Sequence, residues 1–151
     1  MANTQAMCTS FKTEILSGIH ALGTTVIRAG TGADTIKAAL YLASATVNAA
    51  TTAYSATGEV SGTGYSAGGV TATNATAPTS SGTTAYWTPS ASFTYTTVTL
   101  TTSFDCVLVY NSTQSDKAIS AHTFGAQTIT AGTFVLSMPT NDSTNALIRI
   151  A

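Results

Sequence analysis

The stretch DCVLVY-NSTQSD-KAISAHTF, residues 105–124, decides the fold class. Two runs rich in β-branched and apolar residues, 105–110 and 117–124, flank six polar residues that begin with Asn111 and end with Asp116. Asn and Asp side chains can hydrogen-bond nearby backbone and are typical of turns. The stretch therefore predicts a β-hairpin. If the hairpin is symmetric about its turn, His122 lies near Asp105 or Cys106, and a surface cross-strand ion pair is expected.

Similar short runs extend outward from the hairpin and are separated by Gly, Asn, Ser and Pro. They predict strands at 24–28, 36–43, 70–76, 84–88, 93–101, 104–110, 117–124, 133–138 and 146–150. In FTYTTVTL, residues 93–100, Phe93 and Tyr95 alternate onto one face, while Val98 and Leu100 fall on the other. This pattern is typical of a strand covered on both faces over part of its length. The chain is therefore predicted to be mainly β, with a β-sandwich or jelly-roll-like arrangement over 24–151.

The N-terminal segment has a different periodicity. Apolar residues recur every three to four positions, at Met7, Phe11, Ile15, Ile19 and Leu22. This spacing predicts one α-helix over 4–22, which Gly18 or Gly23 could end. With 151 residues, a single domain over 1–151 can bury its own core without a disulfide. Cys8 and Cys106 are expected to be free, apolar core residues.

Charge is scarce and unevenly placed. Only 11 residues are Asp, Glu, Lys or Arg, whereas Thr and Ser number 32 and 16. The net charge is −1, so the chain lacks the basic surface that nucleic-acid binding requires. No signal-peptide pattern and no bilayer-length apolar run is present, and no membrane association is expected. Between residues 38 and 104 only Glu59 is charged, so this stretch either faces other protein or forms a hydrated, Thr-rich sheet.

Residues that could carry chemistry are few. The glycine-rich loop at 57–69 has no Lys at the position that a phosphate-binding loop requires. The only histidines are His20 and His122, and the six carboxylates are widely spread. No cluster has the short spacing of metal ligands. The sequence predicts a protein without enzymatic activity, with no cofactor and no metal.

Several segments together resemble a family. These are FKTEILSGIH, IKAALYLASATV, TTAYSATGEVSGTGYSAGG, VLVYNSTQSDKAISAHTFG and the ending TAGTFVLSMPTNDSTNALIRIA. The chain is similar to small virion structural proteins of tailed bacteriophages, most specifically in the segment from Tyr54 to Tyr65 and in the final Ile-Arg-Ile. The resemblance implies a largely β component of the virion with no enzymatic role.

Size, low charge and this resemblance favour a capsid decoration (cement) protein on the capsid exterior. Such a protein binds the major capsid protein across subunits, or copies of itself, and a homo-oligomer is expected. One alternative is a tail or neck adaptor, or a fibre-anchoring component. Another is a surface glycan-binding adhesin in which Tyr86, Trp87 and Tyr95 stack on sugar rings.

The N-terminal helix and the glycine-rich loop are the parts expected to contact neighbouring subunits. Phe11, Ile15 and Ile19 are predicted to be core residues or anchors for such contacts. Tyr65 and Trp87 are candidates for exposed aromatic anchors, because aromatic side chains are favoured at interfaces. The alternative for each is a core residue, which is the commoner role of such a side chain.

Overall fold

A computed structural model describes residues 3–16, 19–22, 33–73 and 76–151. The elements in chain order are β1 Ala6–Met7, α1 Thr9–Leu16, β2 Ile36–Leu42, β3 Val70–Thr71, β4 Thr79–Ser81, β5 Thr84–Trp87, β6 Phe93–Asn111, β7 Lys117–Leu136 and β8 Ile148–Ile150. The prediction of a mainly β chain with one N-terminal helix is confirmed. The finer arrangement as a sandwich or jelly roll stays a prediction, as does the single domain.

The strands form two antiparallel sheets. One has five strands in the order β1-β7-β6-β2-β3, and the other has three in the order β4-β5-β8. The hairpin predicted from residues 105–124 is the centre of the larger sheet, where β6 pairs with β7. Its turn uses Asn111 as expected: the side-chain oxygen accepts backbone N–H groups from Thr113 at 3.1 Å and Gln114 at 3.2 Å. The polar turn therefore satisfies its own backbone groups.

The strands of this hairpin are much longer than predicted. The separate strands expected at 93–101 and 104–110 are one strand, β6. The strand expected at 117–124 lies within β7, and the one expected at 133–138 forms the last part of β7, which ends at Leu136. Four shifts of register between Tyr95 and Cys106 absorb the polar residues that looked like interruptions. A β-bulge accommodates such residues without ending the strand.

A β-bulge within FTYTTVTL, residues 93–100, changes the face on which the following side chains lie, so the predicted assignment of faces is wrong. Thr97 has a positive φ of 53°, at a shift of register between Tyr95 and Val98. The extra residue changes the phase of the alternation, so the large side chains on both sides of it face the same way. Phe93, Tyr95, Val98 and Leu100 are all buried, whereas the intervening Thr94, Thr96 and Thr97 are exposed. Residues 93–100 are therefore covered on one face only, whereas residues 106–111 of the same strand are buried on both faces.

Other strand bounds differ in detail. The strand expected at 70–76 is only Val70–Thr71, and the one expected at 146–150 begins at Ile148. The strand expected at 24–28 lies outside the described residues. The two- and three-residue strands β1 and β4 were not predicted, because so few residues carry no recognisable alternation.

The N-terminal helix is shorter than the predicted span of 4–22. It covers Thr9–Leu16, and Ala6–Met7 instead forms a strand that pairs with Ala121 and Ser120 of β7. The described residues 19–22 have no regular secondary structure, and Gly18 and Gly23 lie outside the described residues. Pairing with the edge of β7 therefore overrides the helical periodicity at the start of the segment.

The hydrophobic core is formed by buried side chains of the larger sheet together with side chains of α1, β5 and β8. Both cysteines are free and fully buried, as predicted. Burial raises the pKa of the Cys8 thiol to about 11 and that of Cys106 to about 12, so both are neutral at pH 7. They pack as small apolar side chains.

The glycine-rich loop runs in close contact with the larger sheet. Gly69 has a φ of +69°, and a Cβ added there would lie 1.8 Å from the carbonyl oxygen of Ala38 in β2. Gly62 comes similarly close to the backbone of Thr99 in β6, at 2.0 Å for an added Cβ. The glycines therefore let the loop backbone lie directly on the strands.

We predict that Gly69→Ala destabilises the fold strongly, because it adds both a backbone strain and a clash with main-chain atoms. A loss of at least about 2 kcal/mol in the free energy of unfolding is expected by chemical denaturation. Gly125→Ala is the matched control, since an added Cβ at Gly125 meets nothing within 4 Å. Equal effects of the two substitutions would contradict this account of the loop.

Candidate functional site

The glycine-rich loop is organised around one carboxylate, that of Glu59. Its Oε1 accepts hydrogen bonds from the Tyr65 hydroxyl at 2.7 Å and the Gly68 N–H at 2.8 Å. Its Oε2 accepts one from the Tyr54 hydroxyl at 2.7 Å. Hydrogen bonds to an ionised acceptor are the stronger kind. The single charge of the stretch 38–104 thus holds three points of the loop together.

The same tyrosines connect the loop to the strands beneath it. The Tyr65 hydroxyl also accepts the N–H of Leu40 in β2, at 3.0 Å. The ring of Tyr65 stacks on Tyr95 of β6, with centroids 5.9 Å apart, and Tyr54 stacks on Tyr110 at 4.8 Å. We call Glu59 with Tyr54, Tyr65, Tyr95 and Tyr110 the Glu59 cluster. It fixes the loop to the sheet by both polar and ring contacts.

Two hydroxyls of the cluster bond backbone carbonyls. Tyr95 donates to the oxygen of Ala38 and Tyr110 to that of Gly68, both at 2.8 Å. Burial, with the charge of Glu59, raises the pKa of Tyr95 above its ordinary value. Burial raises the pKa of Tyr110 as well. The hydroxyls therefore remain protonated donors across the physiological range.

A second polar cluster joins α1 to the hairpin turn. The Glu14 carboxylate lies 2.6 Å from Lys117 Nζ and 2.7 Å from His20 Nε2. Burial opposes ionisation of Glu14, but its hydrogen bonds to Lys117 and His20 outweigh this and lower its pKa. The buried amide of Asn111 lies between His20 Nδ1, at 3.0 Å, and Asp34, at 2.8 Å. Helix, turn and the start of β2 are thereby linked through one chain of polar contacts.

The residues predicted to contact other subunits are mostly internal. Phe11 is fully buried and its ring lies edge-on to His20 at 4.7 Å. Ile15 and Ile19 are half-buried, and Ile15 packs against the core. Tyr65 is half-buried within the Glu59 cluster. Phe11 and Ile15 both lie on α1, whereas Tyr65 lies in the glycine-rich loop.

Of the two alternatives for Trp87, an exposed anchor or a core residue, the structure shows the core residue. Its side chain is 1% exposed, and its indole N–H donates to the carbonyl oxygen of Thr76 at 2.8 Å. Tyr95 is also buried, so Tyr86, Trp87 and Tyr95 do not form an open platform for a sugar ring. An indole that satisfies its N–H internally is a core residue.

The ion pair predicted for His122 is also wrong. The hairpin register places His122 opposite Val107, and Cys106 is opposite Thr123. His122 Nε2 lies 2.9 Å from the hydroxyl oxygen of Ser120, two residues earlier on the same strand. Burial lowers the pKa of His122 to about 4, so the ring is neutral at pH 7. It can accept or donate one hydrogen bond but carries no charge for a cross-strand pair.

The sequence did not point to the most distinctive surface, which lies on the end of the β6–β7 hairpin far from its turn. From Phe93 to Phe104 and from Phe124 to Leu136 the two strands form a ribbon. We call this part the ribbon. Its inner face carries the buried aromatic and aliphatic side chains, and its outer face carries exposed residues, mainly Thr. The signal was present in FTYTTVTL, but the bulge at Thr97 hid it.

The few charges of the chain are largely engaged in internal contacts. Five of the six carboxylates accept hydrogen bonds from the chain itself: Glu14, Asp34, Glu59, Asp105 and Asp142. Asp105, for example, accepts the side-chain amide of Asn3 at 2.6 Å. Most of the negative charges therefore have partners within the chain.

Two negative findings complete the description. Among residues 3–16, 19–22, 33–73 and 76–151, no group of three or more His, Cys, Asp or Glu side chains could hold a metal ion. In the same described part of the chain, no helix is long and apolar enough to span a membrane.

We predict that Glu59→Ala destabilises the fold by about 3 kcal/mol, since it leaves the buried Gly68 N–H without its acceptor. Glu59→Gln keeps one acceptor oxygen and should cost about 1 kcal/mol. Both values are free energies of unfolding from chemical denaturation. Asp116→Asn, at an exposed turn position, is the control and should change stability by less than about 0.5 kcal/mol. A similar small change for Glu59→Ala would contradict the role of the cluster.

We also predict alkaline destabilisation. Burial raises the pKa of Tyr41 to about 12, and the pKa values of Cys8 and Cys106 are raised too. Because these folded-state values exceed those of the unfolded chain, the fold favours the protonated groups. The stability they contribute is complete below about pH 9 and falls as the pH rises toward 12.

Chemical denaturation at successive pH values measures this effect. Tyr41→Phe removes one titrating group and should make the decline shallower, by up to about 1.4 kcal/mol per pH unit above pH 10. A free energy of unfolding that stays constant to pH 11 would refute the prediction.

No family model matches the chain, and no curated protein or solved structure matches it either. The function is therefore argued from the residues and contacts described above.

Proposed function

We propose that the chain is a non-enzymatic structural protein of a tailed-phage virion. Within the particle, we propose a capsid decoration (cement) protein that binds across major capsid subunits on the exterior and stabilises the shell. The observation that carries the proposal is the neutral, hydroxyl-rich outer face of the ribbon. The resemblance in sequence described above supports the same class of protein.

A neutral surface suits repeated contacts between subunits. Burying a charge at an interface requires its removal from water, and this cost can exceed the gain from pairing. Thr side chains bury a methyl group and can hydrogen-bond through the hydroxyl, so a Thr-rich face avoids that cost. The outer face includes Thr94, Thr96, Thr101, Thr128 and Thr130, all exposed. Binding through such a face depends on shape and hydrogen bonds rather than on charge.

The internal contacts support a structural role in another way. Glu14, Asp34 and Glu59 each accept two or more hydrogen bonds from the chain, which fixes them in place. A carboxylate held in this way serves to connect elements. The glycine-rich loop is likewise held against the sheet by the Glu59 cluster. A rigid component is suited to stabilising a shell, because little ordering entropy is lost when it binds.

The first experiment measures the protein in purified particles of the phage that encodes it. Quantitative mass spectrometry gives the copy number, and a high-resolution particle image gives its position. Copies on the order of hundreds, on the capsid exterior, are expected from the symmetry of a shell. About six to twelve copies would instead support the tail, neck or fibre-anchoring alternative. Absence from the particle would overturn the proposal.

A second experiment tests the neutral surface. Particles that lack the protein are mixed with the purified chain at low salt and at about 1 M NaCl, where charged contacts at the surface are screened. Bound protein is measured after sedimentation. Binding should change less than about twofold, because the proposed face holds no ion pairs. Release at high salt would show that charged residues carry the contact and would overturn this part of the proposal.

A further inference from the structure

We propose that the open edge of β7, at residues 132–136, pairs in an antiparallel manner with the same edge of a second copy of this chain. The inference rests on the proposed function in one respect: that function expects copies of the chain to associate, and the inference names the surface through which they do so. It stands on the strand edges, their charges and one exposed side chain.

The first argument is the length of the open edge. The outermost strands of the two sheets are β1, β3, β4 and β8, and each has only two or three residues. Short edge strands are one way in which proteins avoid unwanted pairing. β1, however, covers β7 only at Ser120 and Ala121. From residue 122 to 136 no described strand pairs with this side of β7.

The second argument is the absence of protective residues. Proteins often place Lys, Pro or other charged residues along an open edge. Residues 118–141 contain no Asp, Glu, Lys or Arg, and the first proline after β7 begins is Pro139. Pairing of two identical edges therefore brings no like charges together. The short edge β8 differs, because it contains Arg149.

The third argument identifies residues 132–136 as the part of the open β7 edge that can pair with another strand. Register shifts around 124–126 and at Ala131, which has a φ of 47°, interrupt the regular geometry of β7. Bulges of this kind disfavour pairing where they occur. The stretch 132–136 follows the last insertion on β7, since the remaining shift, between Tyr95 and Val98, is an insertion on β6. Phe134, Val135 and Leu136 pair regularly with β6. This run is the part of the edge that can accept another strand.

The exposed side chains of the run fit a two-fold axis at Phe134. The Phe134 ring faces inward, with centroids 5.2 Å from Phe104 and 5.3 Å from Phe124. Thr133 and Val135 are exposed on the other face, and Val135 is 49% exposed. Antiparallel pairing centred on Phe134 places Val135 beside the partner's Thr133, and the reverse. Two β-branched side chains then cover each other across the strands.

The test uses the full-length purified chain and light scattering after gel filtration, at micromolar to millimolar concentration. The wild-type chain should show a mass approaching twice 15.3 kDa as concentration rises. Val135→Lys places a charge at the proposed contact and should remain at 15.3 kDa. Ile150→Lys is the matched control, since Ile150 is 45% exposed on β8, and it should dimerise like the wild type.

A second measurement does not depend on any variant. Hydrogen exchange of wild-type amides in 132–136 should slow by at least about tenfold between dilute and concentrated samples, because pairing protects them. Amides in 148–150 should not change. A chain that stays monomeric at millimolar concentration, a dimeric Val135→Lys variant, or equal loss of dimer in both Lys variants would overturn the inference.

The outcomes are separable from those of the proposed function. A monomer in solution that is nevertheless abundant on the capsid would refute self-pairing and leave the decoration role in place. If protection of 132–136 appears only when another protein is added, the edge binds that protein instead, and pairing with a second copy is refuted. A dimer that is absent from the particle would retain the inference and refute the decoration role.

Discussion

The carboxylate of Glu59 is the contact on which the irregular segment 43–69 depends. Between the end of β2 at Leu42 and the start of β3 at Val70, the chain forms no named strand. Such a segment must satisfy its backbone groups by other means. The Glu59 carboxylate accepts hydrogen bonds from the Tyr54 and Tyr65 hydroxyls and from the Gly68 N–H. The ring of Tyr65 also stacks on Tyr95, which holds the loop against β6. The loop is long but has defined contacts.

These contacts change the interpretation of the low content of charged residues. A chain with few charged residues could simply have a hydrated, hydroxyl-rich surface. Here the Glu14 and Asp34 carboxylates are buried in one cluster, and the half-buried Glu59 carboxylate accepts the hydrogen bonds of the other. The charges act as internal connections between segments distant in sequence, and the outer face of the ribbon is left to Thr. A surface of this kind meets another protein at little electrostatic cost.

The sequence predicts the class of fold and its central hairpin because those depend on local patterns. Alternation and turn chemistry identify residues 105–124 without tertiary information. The bulge at Thr97 could not be foreseen, since its positive φ is set by pairing with β7 rather than by residue type. The helix was overextended for a similar reason, because Ala6–Met7 pairs with β7. Trp87 shows a further limit: aromatic identity does not distinguish an interface anchor from a core residue.

The bulges also explain why the ribbon can be so long. From the pair Tyr95–Phe134 to the pair Cys106–Thr123, both strands advance by 11 residues although the register shifts four times between them. Insertions on one strand are therefore balanced by insertions on the other. This balance keeps the large side chains on the inner face and the Thr residues on the outer face along the whole ribbon. It also places the last insertion on β7 before residue 132, so the last residues of β7 form a neutral edge without insertions of its own, which is suited to pairing.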